Sequence, residues 1–254
     1  MEGKLRMTKN QLVGVKCYED FLEDMSREEV ETIGNIIINK FHSMQYPDAQ
    51  VTIMGSYRRG KSGCGDVDVL ITLKDYTHSV PAGALSNLVD GLWDQGHISY
   101  HLTYLSGMET GGDDSRSSHS IEGWDRTQGL KTDKKKTVPS SYMGVFRSPT
   151  VHGKHRRVDI KIYPYSQRAF ACLYFTGSAH FNRSMRLWAK QKFNLKLTDR
   201  GMFDIITGKQ VHASSEREVF EILKIHFKEP FERVYFDDVI PLGSHAHGKC
   251  DLQF

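Results

Sequence analysis

The sequence predicts an α+β fold: a central mixed sheet with helices, followed by a smaller α+β unit. Three patterns carry that expectation. β-Branched runs such as VDVLITL at 67–73 and RRVDIKIYP at 156–164 have the period of strands, whereas MSREEVETIGNIIINKF at 25–41 has that of an amphipathic helix. With 254 residues the chain is long enough for one large domain or two modest ones, and 39% hydrophobic content is enough to build their cores. Beyond residue 165 two helical stretches lead into a shorter mixed pattern.

In chain order, Ser26 is positioned to cap the first long helix, with Glu29 as its capping-box partner. Val30, Ile33, Ile37 and Phe41 form an apolar stripe that should face a sheet. Tyr46-Pro47-Asp48 ends this element, and VTIM at 51–54 begins a strand that stops at Gly55. A helix is expected over 83–96, and strands over HISYHLTYL (97–105) and SSYMGVFR (140–147). Between 106 and 139, Gly, Ser, Asp and Lys replace any apolar period, which predicts a long loop. Thr176-Gly177-Ser178 breaks the helical span 166–192, Gly ending one helix and Ser capping the next. EREVFEILKIHF at 216–227 predicts a last helix with Val219, Phe220, Leu223 and Phe227 on one side. The final dozen residues carry little sign of order.

Cys17, Cys64, Cys172 and Cys250 are scattered and form no CxxC pair, which argues against a disulfide framework or a structural zinc and favours a reducing intracellular setting. No stretch has the length and apolarity of a membrane span, so no membrane partner is expected. The net charge of +3 is too small to name a partner. Local clusters say more: Arg58, Arg59 and Lys61; Lys154, His155, Arg156 and Arg157; Arg183 and Arg186.

On an extended strand, Asp66, Asp68 and Leu70 point one way, and Val67, Val69 and Ile71 the other. The same alternation puts Arg157, Asp159 and Lys161 opposite Val158, Ile160 and Ile162. If the two strands are neighbours, Asp66, Asp68 and Asp159 form a three-carboxylate nest. Carboxylates i and i+2 on a strand lie about 7 Å apart, a span that hard cations can bridge. Without cations such a nest repels itself, so it points to a metal site and to phosphoryl transfer. A bare DxD is common on exposed strands and turns, and it is the flanking residues that give it weight. Directly upstream, GSYRRGKSGCG at 55–65 offers glycines that allow close backbone approach, the Ser56 hydroxyl, and the charges of Arg58 and Arg59. The absence of GxxxxGK[ST] excludes a Walker loop.

Together, GSYRRGKSGCGDVDVLIT, RRVDIKIYP and LYFTGSAHFNRSMR resemble the X family of DNA polymerases, with the likeness running from about Leu12 to Phe236. The resemblance implies a nucleotidyltransferase-type palm at 26–165, interrupted by the loop 106–139. It further implies a small α+β thumb subdomain at 166–241 that grips the nascent base pair, a remnant of a fingers region at 1–25, and a disordered tail at 242–254. It implies DNA-directed DNA synthesis with two Mg²⁺ ions, Mn²⁺ being the alternative, on gapped or primer-template DNA and a deoxynucleoside triphosphate. A monomer in the nucleus, working in repair gap filling and end joining, is expected on the same ground.

The residue roles carried by the resemblance are these. Asp66 and Asp68 bind both metals, and Asp159 binds the catalytic one and helps activate the primer hydroxyl. Gly55, Ser56, Arg59, Cys64 and Gly65 line the β- and γ-phosphates, with Arg27 as a further phosphate ligand. Tyr174, Phe175 and Gly177 form the wall against the sugar, and Ala179 and Asn182 lie on the base. Arg183 and Arg186 reach the template strand, and Arg156 or Lys161 the primer end. Two departures stand out. No lyase domain or helix-hairpin-helix clamp precedes the palm, so lyase activity is expected to be absent and DNA affinity to be low. The long loop occupies the place where some members carry a template-substituting loop, which keeps two alternatives open: template-independent addition, and a truncated form that binds nucleotide with little polymerase activity.

Overall fold

The computed structural model describes residues 7–103 and 140–243. Two short helices open it, α1 (Lys9–Lys16) and α2 (Tyr18–Leu22), followed by β1 (Met25–Ser26) and the long α3 (Arg27–His42). Next come β2 (Ala49–Ile53), the four-residue α4 (Gly55–Arg58), β3 (Gly63–Cys64), β4 (Val67–Leu73), α5 (Ala84–Asp94) and β5 (Ile98–His101). From residue 140 onward follow β6 (Ser141–Arg147), β7 (His155–Pro164), α6 (Arg168–Thr176) and α7 (Ala179–Phe193). The last elements are β8 (Leu195–Leu197), β9 (Met202–Asp204), β10 (Gln210–Val211) and α8 (Glu216–Ile222).

The main sheet is mixed, in the order β2-β4-β7-β6-β5; β4 and β7 run parallel, and the other described neighbours are antiparallel. Its one face is apolar. Val67, Val69, Ile71, Val158, Ile160 and Ile162 pack there against the stripe Val30, Ile33, Ile37 and Phe41 of α3 and against Leu85, Leu88 and Leu92 of α5. Burying such side chains contributes about 2 kcal/mol each, which holds both helices on the sheet. The opposite face is covered only in part. At one side α1 seals β6 through Val13, Cys17 and Val145; at the other, α6 packs Ala171 and Phe175 onto Leu70 and Tyr163. Between these covers the polar strip of β4 and β7 lies open.

The Ser26 hydroxyl caps α3, accepting from the Glu29 N–H at 3.1 Å. The expected return bond from Glu29 is not made, because its carboxylate is taken by Arg156 and Ser148 in the interior. The helix break at Thr176-Gly177-Ser178 is as expected, Ser178 accepting from Phe181 N–H at 3.2 Å.

A second core gathers Phe170, Phe181, Met185 and Trp188 from α6 and α7 with Val219, Phe220 and Leu223 beside the antiparallel sheet β10-β9-β8. Its last helix is shorter than expected. α8 ends at Ile222, Lys224 turns left-handed at φ +50°, and Ile225 bridges to Pro241, so Phe227 reaches the Phe220 ring from an extended segment. The strand expected over 97–105 is kept as far as His101; the expected loop at 106–139 and the tail beyond Gly243 lie outside the described residues. Among the described residues no helix is long and apolar enough to cross a membrane, and Cys17, Cys64 and Cys172 are free thiols.

Candidate active site

The open strip is where the acidic residues stand. β4 and β7 run parallel with Asp68 directly opposite Asp159, and Asp66 immediately precedes β4. The strand alternation that buries Val67 and Val69 turns Asp68 onto the strip, and the same holds for Asp159 between Val158 and Ile160. Burial, reinforced by the charges of Asp66 and Asp159, pushes the Asp68 carboxyl well above the usual range, against the pull of Lys161 and Arg59. Burial and the Asp66 charge raise Asp159 likewise, with Arg157 and Lys161 opposing. Three carboxylates held this close make an unfavourable charge arrangement that a hard cation would relieve.

The carboxylates are nonetheless not a ready-made cage. Among the described residues no three His, Cys, Asp or Glu side chains converge on one point. Asp66 accepts from Arg157 Nη2 at 2.7 Å, an ion pair with both partners about a third to a half exposed. Such a pair contributes little in water, so Asp66 can be recovered at small cost.

The glycine-rich stretch upstream forms a tight turn that opens as α4. Gly55 sits at φ +57°, and a Cβ there would collide with the Asp68 carboxylate oxygen Oδ2, so only glycine admits this approach of backbone to carboxylate. The neighbouring Ser56 hydroxyl is buried and has no hydrogen-bond partner among the described residues. An orphaned hydroxyl beside a set of hard oxygen donors is what an anionic, cation-chelating ligand would satisfy. Arg59 donates to the Thr176 carbonyl at 2.5 Å and lies 3.0 Å from where a Gly177 Cβ would be, with Gly177 itself at φ +72°. Arg27 stacks on Tyr57, 4.0 Å from ring centre to guanidinium carbon, and donates to the Tyr57 and Lys61 carbonyls, so it clamps this turn from α3. Cys64 is buried in β3 opposite Met25, with Gly65 between it and Asp66.

The aromatic residues expected at the sugar lie at the C-terminal end of α6. Asn182 of α7 donates to the Tyr174 carbonyl at 2.7 Å, while Phe175 is almost wholly buried against Leu70 and Met54. Ala179 is exposed at the start of α7, and Arg183 and Arg186 are exposed further along it. Arg156 departs from expectation. It is 4% exposed, grips Glu29 through two nitrogens and donates to the Asp20 and Glu23 carbonyls, so it is a core strut and is withheld from any polyanion at the surface. Alternation along β7 accounts for this: Arg156 shares the inward face with Val158, whereas Arg157 and Lys161 share the face of Asp159.

A family model for the DNA polymerase beta palm matches residues 24–165, and one for the DNA polymerase beta thumb matches 171–234. The chain belongs to the X family of DNA polymerases. This X-family chain is 35% identical to DNA polymerase lambda of Rattus norvegicus over 92% of its own length and 37% of that protein's. It is also 30% identical to DNA nucleotidylexotransferase of Xenopus laevis, over 91% of its own length and 45% of the relative's. To DNA-directed DNA/RNA polymerase mu of Homo sapiens it is 29% identical, over 91% and 46% respectively. It spans less than half the length of each of these curated relatives.

Sequence reasoning missed one assembly in this X-family chain. Arg58 of α4 makes two bonds to Glu216 at the start of α8, at 3.0 and 2.6 Å, and a third, very short, to the Thr176 hydroxyl. The fully buried Arg233 adds a bond to Glu216 Oε1 at 2.5 Å. Burial alone would push Glu216 upward, but the bonds and charges of Arg58 and Arg233 outweigh it and hold the carboxyl below its ordinary value. The Gly55–Arg58 turn, the end of α6 and the distal helix are thereby tied through one carboxylate. The only sequence signal was a first-turn glutamate on α8, where a helix dipole accounts for it without any partner.

Proposed function

We propose that the chain is a template-directed DNA polymerase that extends a primer 3′ end by one deoxynucleotide at a time, filling short gaps during DNA repair and end joining in the nucleus, as a monomer. The observation that carries this reading is the in-register pair Asp68–Asp159 beside the Gly55–Ser56 turn with its orphaned hydroxyl. The names of the relatives supply the substrate class: DNA polymerase lambda and DNA-directed DNA/RNA polymerase mu.

Asp66, Asp68 and Asp159 would hold two Mg²⁺ ions, or Mn²⁺ in their place. When bound, such ions lower the pKa of the primer hydroxyl and neutralise charge on the leaving pyrophosphate. Arg157 would release Asp66 to such ions and be free to meet the primer backbone. Ser56 and the amides around Gly55, Cys64 and Gly65 donate to the triphosphate, Arg59 adds charge, and Arg27 holds the turn that presents them. Tyr174, Phe175 and Gly177 form a flat wall against the sugar, Asn182 and Ala179 border the base, and Arg183 and Arg186 hold the template strand. Asp159 orients the primer oxygen for in-line attack on the α-phosphorus.

The test is extension on a one-nucleotide gap with Mg²⁺, comparing the chain with Asp159→Ala. Extension that requires Asp159 supports the reading; extension that survives the substitution, or none by either protein, overturns it. A second reading, untemplated addition to 3′ ends, is favoured by the likeness to several DNA nucleotidylexotransferases. Deleting residues 108–137 should then abolish untemplated extension and spare gap filling.

A further inference from the structure

Lys161 was expected at the primer end, yet its ammonium group lies 4.9 Å from the centroids of both the Tyr174 and the Phe175 rings. The Arg186 guanidinium of α7 stands 5.0 Å from the Tyr174 centroid. The Tyr174 ring thus meets two cations, one from the main sheet and one from α7. Its packing alone does not fix it. Unlike Phe175, it is only partly buried, and it borders a small cleft that Phe170, Leu173, Asn182, Arg186, Leu197 and Thr198 also line. Its backbone is pinned through Asn182, so the freedom that remains belongs to the side chain.

The geometry points to Lys161 as a positioning residue for sugar selection: with Arg186 it clamps the Tyr174 ring and so sets how tightly the wall excludes a ribose 2′-hydroxyl. The inference rests on the functional reading above, in which this wall meets the incoming sugar. The physics is a matter of stiffness. An apolar surface rejects one added hydroxyl only modestly, and only if it does not yield. A partly exposed ring without restraint yields more readily than a buried one. Two cation–aromatic contacts, one from the half-buried Lys161 and one from the exposed Arg186, hold it against the displacement that a 2′-oxygen would demand. A methionine at 161 has similar length but no charge, and leaves the ring to its packing. An arginine restores the cation.

The experiment compares the whole chain with its Lys161→Met and Lys161→Arg variants in single-nucleotide gap filling. It measures kcat/KM separately for a deoxynucleotide and for the matching ribonucleotide. For Lys161→Met, discrimination should fall about tenfold, because the ribonucleotide improves relative to the deoxynucleotide, most of it in KM. Lys161→Arg should restore the wild-type ratio. Circular dichroism verifies that Lys161→Met is folded; should it fail to fold, Arg186→Met must give the same loss of discrimination. An unchanged ratio in a folded methionine variant overturns the proposal, and so does an equal fall for both sugars, which would mean that Lys161 serves only the charge balance of the carboxylates. A wild-type chain that incorporates neither nucleotide overturns the functional reading first, and the proposal with it.

Discussion

Replacing Glu216 by Gln should weaken the whole molecule, and the structure says where and by how much. Arg233 is fully buried and bonded to the Glu216 carboxylate, while Arg58 keeps a quarter of its side chain in contact with solvent. Removing the charge therefore strands mainly Arg233. Breaking a buried pair from one side costs about 3 to 5 kcal/mol, and Gln, which keeps the volume and one acceptor, belongs at the lower end. With a urea dependence of roughly 2 kcal/mol per molar, the midpoint should fall by about 1.5 M. Trp188, whose indole N–H donates to the Leu223 carbonyl in the distal core, gives the fluorescence signal. The pH dependence is a second constraint. Because the folded-state pKa of Glu216 lies below its ordinary 4.5, its stabilisation is complete above pH 4.5 and is lost as pH falls through the depressed value. The gap between wild type and variant should therefore narrow below pH 4.5. A midpoint shift under about 0.3 M at about pH 7, or a gap of equal size at about pH 7 and about pH 3.5, would refute the reasoning.

Gly55→Ala should lower activity at least about a hundredfold, since its Cβ would enter the Asp68 carboxylate; gap-filling rates measure it, and a loss of less than about tenfold would mean that the turn relaxes. Arg156→Ala should cost about 3 to 5 kcal/mol in urea unfolding, whereas Arg157→Ala should change stability by less than about 1 kcal/mol and weaken DNA binding more at low salt than at high. Mg²⁺ should raise the melting temperature of the wild type, by about 2.7 kcal/mol of stability at roughly a hundred times the dissociation constant, and should not do so in Asp66→Asn/Asp68→Asn. Without Mg²⁺ the doubly substituted protein should melt higher than wild type, because the raised Asp68 pKa means that ionising this group above its ordinary 3.8 costs stability, a cost that Asn removes.

Much of the site is legible in the sequence because it is built on a strand. Alternation along 66–71 and 157–162 decides which residues face the strip, and the pairing of Asp68 with Asp159 needs only the assumption that the two strands are neighbours. Alternation also bears on Arg156, which has the parity of Val158 and follows it inward. Its place in a basic cluster pointed the other way, toward a polyanion at the surface, and parity prevailed. What local pattern does not supply is partner choice. Glu29 has the right spacing for a capping box, yet an internal arginine 127 residues away takes it. Glu216 and Arg58 are 158 residues apart, beyond the reach of periodicity. The early end of α8 is equally hidden, since it depends on Ile225 meeting Pro241.

The parallel pairing of β4 with β7 also sets a timetable. Ninety-one residues of chain separate Asp66 from Arg157, and a parallel pair cannot close until the whole crossover, with α5, β5 and β6, has been made. Loop closure over that length must come before any reward in contacts, which slows the closing of the carboxylate strip. A ribosome must pass residue 164 before the nascent chain owns an acidic centre at all. Until then Asp66 and Asp68 have only each other's charge, without the further charge that Asp159 on β7 adds.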